Sequence, residues 1–289
     1  MPSTSNNNPD RPRWAWWVRW PAGVLRRVLI VYLLVVLGMT FIERWLVYPA
    51  PAAAEGDWQL APEEAISDAW FDSADGTRLH GWYFSHQNPK RVALYFHGNG
   101  EQVADNRELM ELLRDELDAA VLVFDYRGYG LSGGKPNEAG VIADGLAAHR
   151  WLAEQTGRRT DEVILIGRSI GGGVAVAAAA EQGAAALVLQ STFTRLTDAA
   201  AIHYPWLPVR LLMKNRYDSL GRIARYRGPV MISHGTADGV VPFEHSRRLF
   251  EAAPTDKKQF FEMTDTGHND PQPPDYYRAL VDFLRQSGV

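Results

Sequence analysis

Short runs of continuous apolar residues recur from residue 92 onwards, and longer amphipathic segments separate them. The six runs occupy residues 92–96, 121–124, 163–166, 186–189, 230–233 and 259–263, and only the last two contain polar residues, Ser233, Gln259 and Glu262. A strand that is apolar at every position is buried on both faces, which is typical of parallel strands covered by helices on both sides. This alternation predicts an α/β fold.

Two further strands are predicted ahead of these runs. Residues 69–71 and 78–84 flank the dipeptide Asp75-Gly76, which is typical of a tight hairpin turn. The amphipathic segments predict helices over residues 102–117, 138–155, 170–182, 243–253 and 274–286. Together these elements predict a mostly parallel eight-stranded sheet with helices on both faces. A chain of 289 residues can bury one such core, so we assign a single catalytic domain to residues 63–289.

The N-terminal part of the chain contains a long uncharged apolar segment. Fifteen residues, 28–42, carry no charge and would rise about 22 Å as a helix, which is short of a hydrocarbon core of about 30 Å. Extending the helix to Tyr48 supplies the missing length. We therefore predict a disordered basic leader over residues 1–23, a transmembrane anchor over 24–48 and a linker over 49–62.

The charges around this segment predict its orientation. Five arginines precede the apolar core against one acid, Asp10. By the positive-inside bias the N-terminus lies in the cytoplasm and the catalytic domain lies outside, in the periplasm or another extracytoplasmic space. Two alternatives remain open, a signal peptide cleaved after Ala54 and a helix buried in the core.

Composition excludes several classes of function. The formal net charge is −4 and the predicted folded part has no clustered basic face, so a nucleic-acid partner is not expected. The chain has no cysteine, which excludes disulfides, thiolate metal sites and a cysteine nucleophile. The chemistry inferred below needs neither a metal ion nor an organic cofactor.

A G-x-S-x-G motif follows the predicted strand at 163–166. Its serine is Ser169, and the run of small residues after it predicts the start of a helix. A serine between a buried strand and a helix sits in a strained turn, and the two motif glycines let the neighbouring backbone approach. The motif alone has little specificity, but in this context it predicts a nucleophile elbow.

A serine nucleophile needs a base and an acid that orients the base. In folds with this elbow, the acid and then the histidine follow later strands. Asp238 comes after the run at 230–233 and His268 after the run at 259–263, so we predict the triad Ser169, Asp238 and His268. Asp265 and Asp270 are rival acids. We interpret His234 as structural.

The reaction also requires an oxyanion hole, formed by two N–H groups aimed at the developing negative charge. One is expected from the amide of Ile170, directly after the serine. The other is expected from the loop after the third strand, His97-Gly98-Asn99-Gly100. We assign it to Asn99, with Gly98 as the alternative.

Six motifs in this order resemble those of the α/β-hydrolase superfamily: HGNG at 97–100, DYRGYGLSGGKPNEAG at 125–140, GRSIGGG at 167–173, STFT at 191–194, HGTADGVVP at 234–242 and GHND at 267–270. The resemblance covers about residues 45–289. Within the superfamily the chain is similar to a membrane-anchored branch with lysophospholipase-like and acyl-protein-thioesterase-like enzymes, often described as serine-aminopeptidase-like. The resemblance implies the same triad.

The segment between the sixth and seventh strands, residues 192–228, predicts a short lid. We consider Trp206, Leu207 and Met213 of this lid, with Gly98, as candidates for a substrate pocket, but we favour ordinary packing of lid helices on the core as the interpretation of the apolar lid residues. The expected partner is a small-molecule, lipid or acylated substrate. We predict a serine hydrolase of the esterase, lipase or thioesterase type, which cleaves carboxylic ester or thioester bonds through an acyl-enzyme intermediate. A peptidase with the same triad and a non-catalytic binding protein of this fold are the alternatives.

Overall fold

The computed structural model describes residues 14–50, 56–60 and 65–289. Residues 1–13 of the predicted leader, and residues 51–55 and 61–62 of the predicted linker, lie outside the described residues. The chain divides into two compact units, one ending at Glu43 and one comprising Arg44–Val289.

The first unit contains most of a long helix, α1, which comprises Trp14–Val47 and whose last four residues belong to the second unit. The helix begins within the predicted leader, and it runs through Pro21 and Gly23. Its apolar part, Gly23–Val47, is 25 residues long, about 37 Å as a helix, and its large side chains are exposed. A helix of this length and composition is compatible with a membrane anchor or a signal peptide.

The second unit contains one eight-stranded sheet in the order β1-β2-β4-β3-β5-β6-β7-β8. β1 and β2 pair antiparallel with each other, and β2 pairs antiparallel with β4. The remaining pairs are parallel, as the continuous apolar runs predicted. The strands are Ile66–Asp72, Arg78–Phe84, Arg91–Phe96, Ala119–Phe124, Ile164–Arg168, Ala186–Gln190, Val230–Gly235 and Lys258–Met263.

Helices cover both faces of this sheet, as expected. The helices after α1 are Arg107–Glu116 (α2), Glu138–Thr156 (α3), Ile170–Gln182 (α4), Leu196–His203 (α5), Val209–Leu212 (α6), Ser219–Ile223 (α7), Glu244–Ala252 (α8) and Pro274–Ser287 (α9). Buried residues of α3, α4 and α8 form one core cluster, and those of α2 and α9 form another. The chain therefore has the α/β-hydrolase fold, with the short helices α5 to α7 forming the lid between β6 and β7.

Candidate active site

Ser169 lies between the end of β5 and the start of α4, with a φ of +51° and a ψ of −118°. Such backbone angles are strained for a residue with a side chain, so they must be imposed by the surrounding contacts. The N–H of Ser169 donates to the carbonyl of Gln190 at the end of β6, at 2.9 Å. Its own carbonyl accepts from the hydroxyl of Thr192 at 2.7 Å. The strand next to β5 therefore holds the elbow in place.

The first turn of α4 packs directly on the end of β3. A Cβ atom at Gly171 would lie 2.1 Å from the carbonyl oxygen of Phe96 and 2.6 Å from that of His97. Only glycine permits this approach, which explains the second glycine of the motif. The same contact brings the N–H of Ile170 to the side of the sheet where the loop after β3 begins.

The structure brings the three predicted side chains of the triad together. The Oγ atom of Ser169 lies 3.1 Å from Nε2 of His268, and Nδ1 of the same ring lies 2.6 Å from Oδ2 of Asp238. Asp238 follows β7 and His268 follows β8. With the ring proton on Nδ1 donated to Asp238, Nε2 can accept the hydroxyl proton of Ser169.

Asp238 is buried, yet it is held as a carboxylate. Burial raises its pKa, but hydrogen bonds from His234, from His268 and from the backbone N–H of Val241 outweigh burial, so the pKa lies below its usual value. The Oδ1 atom accepts from the N–H groups of Val240 and Val241, both at 2.8 Å. An ionised acid at this position can orient the His268 ring and stabilise the imidazolium that forms when the ring takes a proton.

His234, which we interpreted as structural, also touches the acid. Its Nε2 atom lies 3.0 Å from Oδ2 of Asp238 and 2.8 Å from the carbonyl oxygen of Val241, while Nδ1 lies 2.5 Å from the hydroxyl of Ser246. The ring thus braces the loop that carries the acid and adds a hydrogen bond to it. The spacing of four residues between His234 and Asp238 within one turn was the available sequence signal for this contact.

The rival acids lie in the same loop as His268. The Oδ2 atom of Asp270 accepts a hydrogen bond from the N–H of Gly267 at 2.7 Å, whereas the carboxylate at Nδ1 of His268 is that of Asp238. The geometry at the His268 ring therefore favours Asp238.

The loop after β3 carries the second predicted oxyanion donor. The N–H of Gly98 donates to Oε2 of Glu101 at 3.0 Å, so this amide is already engaged. The occupied amide disfavours Gly98, the alternative donor, and favours Asn99. The Glu101 carboxylate also forms an ion pair with Arg168, the residue before the serine.

The side chain of Asn99 is held by the last residue of α1. Its Nδ2 atom donates to the carbonyl of Val47 at 2.8 Å, and its Oδ1 atom accepts from the hydroxyl of Tyr129 at 2.8 Å. The next residue, Tyr48, is buried, and its hydroxyl lies 2.9 Å from Oδ1 of Asn215 and 2.8 Å from the hydroxyl of Tyr217. Sequence reasoning missed these contacts because nothing in the local pattern marks them.

The candidate pocket residues of the lid lie in different environments. Leu207 is buried, Met213 is half-buried and Trp206 is 55% exposed. The burial of Leu207 fits the packing interpretation of the lid residues, whereas Trp206 contributes to an outer surface.

Comparison with known proteins gives matches over most of the chain. The family model "Serine aminopeptidase, S33" matches residues 87–217. An uncharacterized protein of Mycobacterium tuberculosis is 38% identical over 90% of this chain and 93% of its own. The human alpha/beta hydrolase domain-containing protein 17B is 30% identical over 84% of this chain and 82% of its own.

Solved structures share the fold at lower identity. The esterase Pf2001 of Pyrococcus furiosus is 22% identical, with a TM-score of 0.67 over 83% of this chain and 98% of the esterase. The acetyl xylan esterase of Paenibacillus sp. R4 is 20% identical, with a TM-score of 0.65 over 79% of this chain and 86% of that chain. At these identities the likeness concerns the fold alone.

Proposed function

Because this chain belongs to the α/β-hydrolase superfamily, we propose that it is a serine hydrolase that cleaves carboxylic ester or thioester bonds through an acyl-enzyme intermediate. The observation that carries the proposal is the continuous line of hydrogen bonds from Ser169 through His268 to Asp238. This line supplies the base that a serine hydroxyl needs and the acid that orients that base.

In the first step the Oγ atom of Ser169 attacks the carbonyl carbon, and Nε2 of His268 takes the hydroxyl proton. The N–H groups of Ile170 and Asn99 hold the negative charge on the carbonyl oxygen. The imidazolium then passes its proton to the departing alcohol or thiol, and the acyl group stays on Ser169.

In the second step a water molecule attacks the acyl carbon. Nε2 of His268 takes the proton of the water and returns it to Oγ of Ser169 as the carboxylic acid leaves. Atoms balance over the two steps as the hydrolysis of one ester or thioester bond, with no change of oxidation state.

The proposal is tested by labelling the protein with a fluorophosphonate probe. We expect wild type and Ser67→Ala to be labelled, because Ser67 is an exposed serine of β1 distant in sequence from the site. We expect Ser169→Ala to remain unlabelled and to lose hydrolysis of p-nitrophenyl esters. Equal labelling of Ser169→Ala and wild type would refute the assignment, and a wild type that neither labels nor hydrolyses would favour a binding protein.

Peptidase activity is the second candidate, because the matching family model describes a serine aminopeptidase. The same three side chains serve either reaction. Turnover of amino-acid p-nitroanilides that exceeds turnover of the corresponding p-nitrophenyl esters would favour the peptidase.

We further propose that α1 is retained as a single-pass anchor, with the N-terminus in the cytoplasm and the catalytic domain outside. The buried side chain of Tyr48 supports retention, because cleavage after Ala54 would remove it from the core. Fractionation tests this proposal. A retained anchor keeps the protein in the membrane pellet after a high-salt wash, whereas a cleaved chain appears in the soluble fraction.

A further inference from the structure

The outer side of the lid exposes several large apolar side chains. Ile202, Tyr204, Trp206 and Leu211 lie within ten residues of the chain, and Leu211 is 75% exposed. Val240 joins them, because Nε2 of His203 lies 2.7 Å from the carbonyl oxygen of Val240. We call these five residues, Ile202, Tyr204, Trp206, Leu211 and Val240, the lid surface.

Such a grouping differs from the single apolar residues that every protein surface carries. Isolated exposed apolar side chains are ordinary, but several in one segment mark a surface that is covered by a partner or a membrane. The lid surface also adjoins the chemistry, since Val240 is two residues after Asp238 and its N–H donates to that carboxylate. Whatever covers this surface therefore lies close to the mouth of the proposed active site.

The end of the apolar helix lies near the same surface. Tyr48, directly after α1, is hydrogen-bonded to Asn215 of the lid. Asn215 is four residues after Leu211, and four residues span at most about 14 Å. The last four residues of α1, which belong to the second unit, therefore lie within a short distance of the lid surface.

Residues next to Tyr48 have the character of a membrane interface. Trp45 is 62% exposed, and the guanidinium of Arg44 lies 4.6 Å from the centre of its ring. Tryptophan and arginine at the end of an apolar helix are typical of the headgroup level. The exposed side chain of Arg216 adds positive charge beside the lid surface, which suits anionic headgroups, whereas Arg210 is paired with Asp198.

We propose that the lid surface docks on the bilayer that α1 crosses, so that a membrane-resident acylated substrate reaches Ser169 from the lipid side. This inference rests on the proposed function for its substrate and on the retained anchor for its membrane. We infer that a lipid bilayer, rather than a second protein, covers the lid surface, because the chain's own apolar helix ends beside the lid.

Docking can be measured without reference to catalysis. The chain has no cysteine, so Leu211→Cys and Leu112→Cys each accept a single environment-sensitive nitrobenzoxadiazole label. Leu112 is an exposed leucine of α2, which packs against β2 and β4 rather than against the lid. The full-length chain is reconstituted in vesicles of phosphatidylcholine and phosphatidylglycerol, with and without a nitroxide on the lipid acyl chain.

We expect a blue-shifted emission that the nitroxide lipid quenches for the label at residue 211, and no quenching at residue 112. Absence of quenching at residue 211, or equal quenching at both positions, overturns the proposal. A blue shift at residue 211 without quenching by lipid would assign the surface to a second copy of the chain and also overturns it.

Turnover gives the second readout. Leu211→Asp is expected to lower hydrolysis of a long-chain acyl ester in the vesicles about tenfold or more, because a charge replaces a side chain that enters the lipid. Hydrolysis of p-nitrophenyl acetate in water should not change, and Leu112→Asp should change neither rate. An equal loss on both substrates overturns docking. If wild type hydrolyses neither ester, the proposed function fails, and the quenching experiment still decides docking.

Discussion

Two histidines share one oxygen of the buried carboxylate at the centre of the site. Oδ2 of Asp238 accepts a hydrogen bond from the Nδ1–H of His268 and lies within hydrogen-bond distance of Nε2 of His234. Oδ1 accepts hydrogen bonds from two backbone N–H groups. These donors leave the carboxylate little freedom to rotate, and they stabilise its ionised form. The orientation of the proposed base, His268, is therefore set by the turn after β7 as much as by the loop that carries the histidine.

Asp238→Asn tests this arrangement at the scale of one atom. The amide keeps the shape of the carboxylate but favours the wrong tautomer of His268, so we expect kcat for p-nitrophenyl esters to fall by about 10³ to 10⁴. Asp265→Asn and Asp270→Asn are the controls, and each should retain kcat within a few-fold. A loss in Asp270→Asn as large as that in Asp238→Asn would assign the acid to the histidine loop.

Arg168 connects three segments of the site, which are the turn at Ser169, the loop after β3 and the loop that carries His268. Its guanidinium forms an ion pair with Glu101 in the loop after β3. Its Nη2 atom also donates to the carbonyl of His268, at 3.1 Å. Because Arg168 immediately precedes Ser169 at the end of β5, one side chain links the proposed nucleophile, the loop after β3 and the proposed base. We infer that it is a positioning residue.

Replacement of this arginine separates positioning from substrate binding. Arg168→Met should lower kcat by roughly tenfold to a hundredfold with little change in KM, because small displacements of reacting groups cost that much. Arg159→Met removes an exposed ion pair with Asp161 and should change neither constant. A raised KM with unchanged kcat in Arg168→Met would indicate that the guanidinium contacts substrate instead.

The elements themselves were largely predictable because their signals are local. The predicted run at 121–124 became β4 over Ala119–Phe124, differing only where two small alanines precede it. Strand ends then located Ser169, Asp238 and His268, since parallel strands present their carboxyl ends at one edge of the sheet. The helix α1 extends further towards the N-terminus than expected, since Pro21 and Gly23, which are poor helix formers, lie inside it rather than at its start.

Contacts between segments that lie far apart in the chain were not predictable from the sequence. Nothing near Val47 indicates that its carbonyl accepts a hydrogen bond from Asn99, and nothing near Tyr48 indicates its partners in the lid. The engagement of the Gly98 amide by Glu101 likewise depends on how the loop after β3 closes on itself. Such contacts follow from packing and carry no periodic or motif signal.

The contacts of Val47 and Tyr48 make the end of α1 part of the second unit, Arg44–Val289, which carries the proposed active site. Two truncated chains test this. Deletion of residues 1–43 retains both contacts and should preserve the unfolding temperature and the turnover of p-nitrophenyl acetate. Deletion of residues 1–55 removes the buried Tyr48 side chain from the core, and the loss of a large buried aromatic group costs about 3–5 kcal/mol of unfolding free energy.

The longer deletion should also slow turnover beyond its effect on stability, because the Asn99 side chain loses the Val47 carbonyl that holds it beside the elbow. Thermal unfolding and ester hydrolysis of both truncated chains, measured below their unfolding temperatures, separate the two effects. Tyr48→Phe in the full chain isolates the hydroxyl, whose loss should cost about 1–3 kcal/mol. Equal stability and turnover in the two truncated chains would contradict this role of Val47 and Tyr48. The helix α1 would then serve only to attach the protein to a membrane, and cleavage after Ala54 would leave an active enzyme.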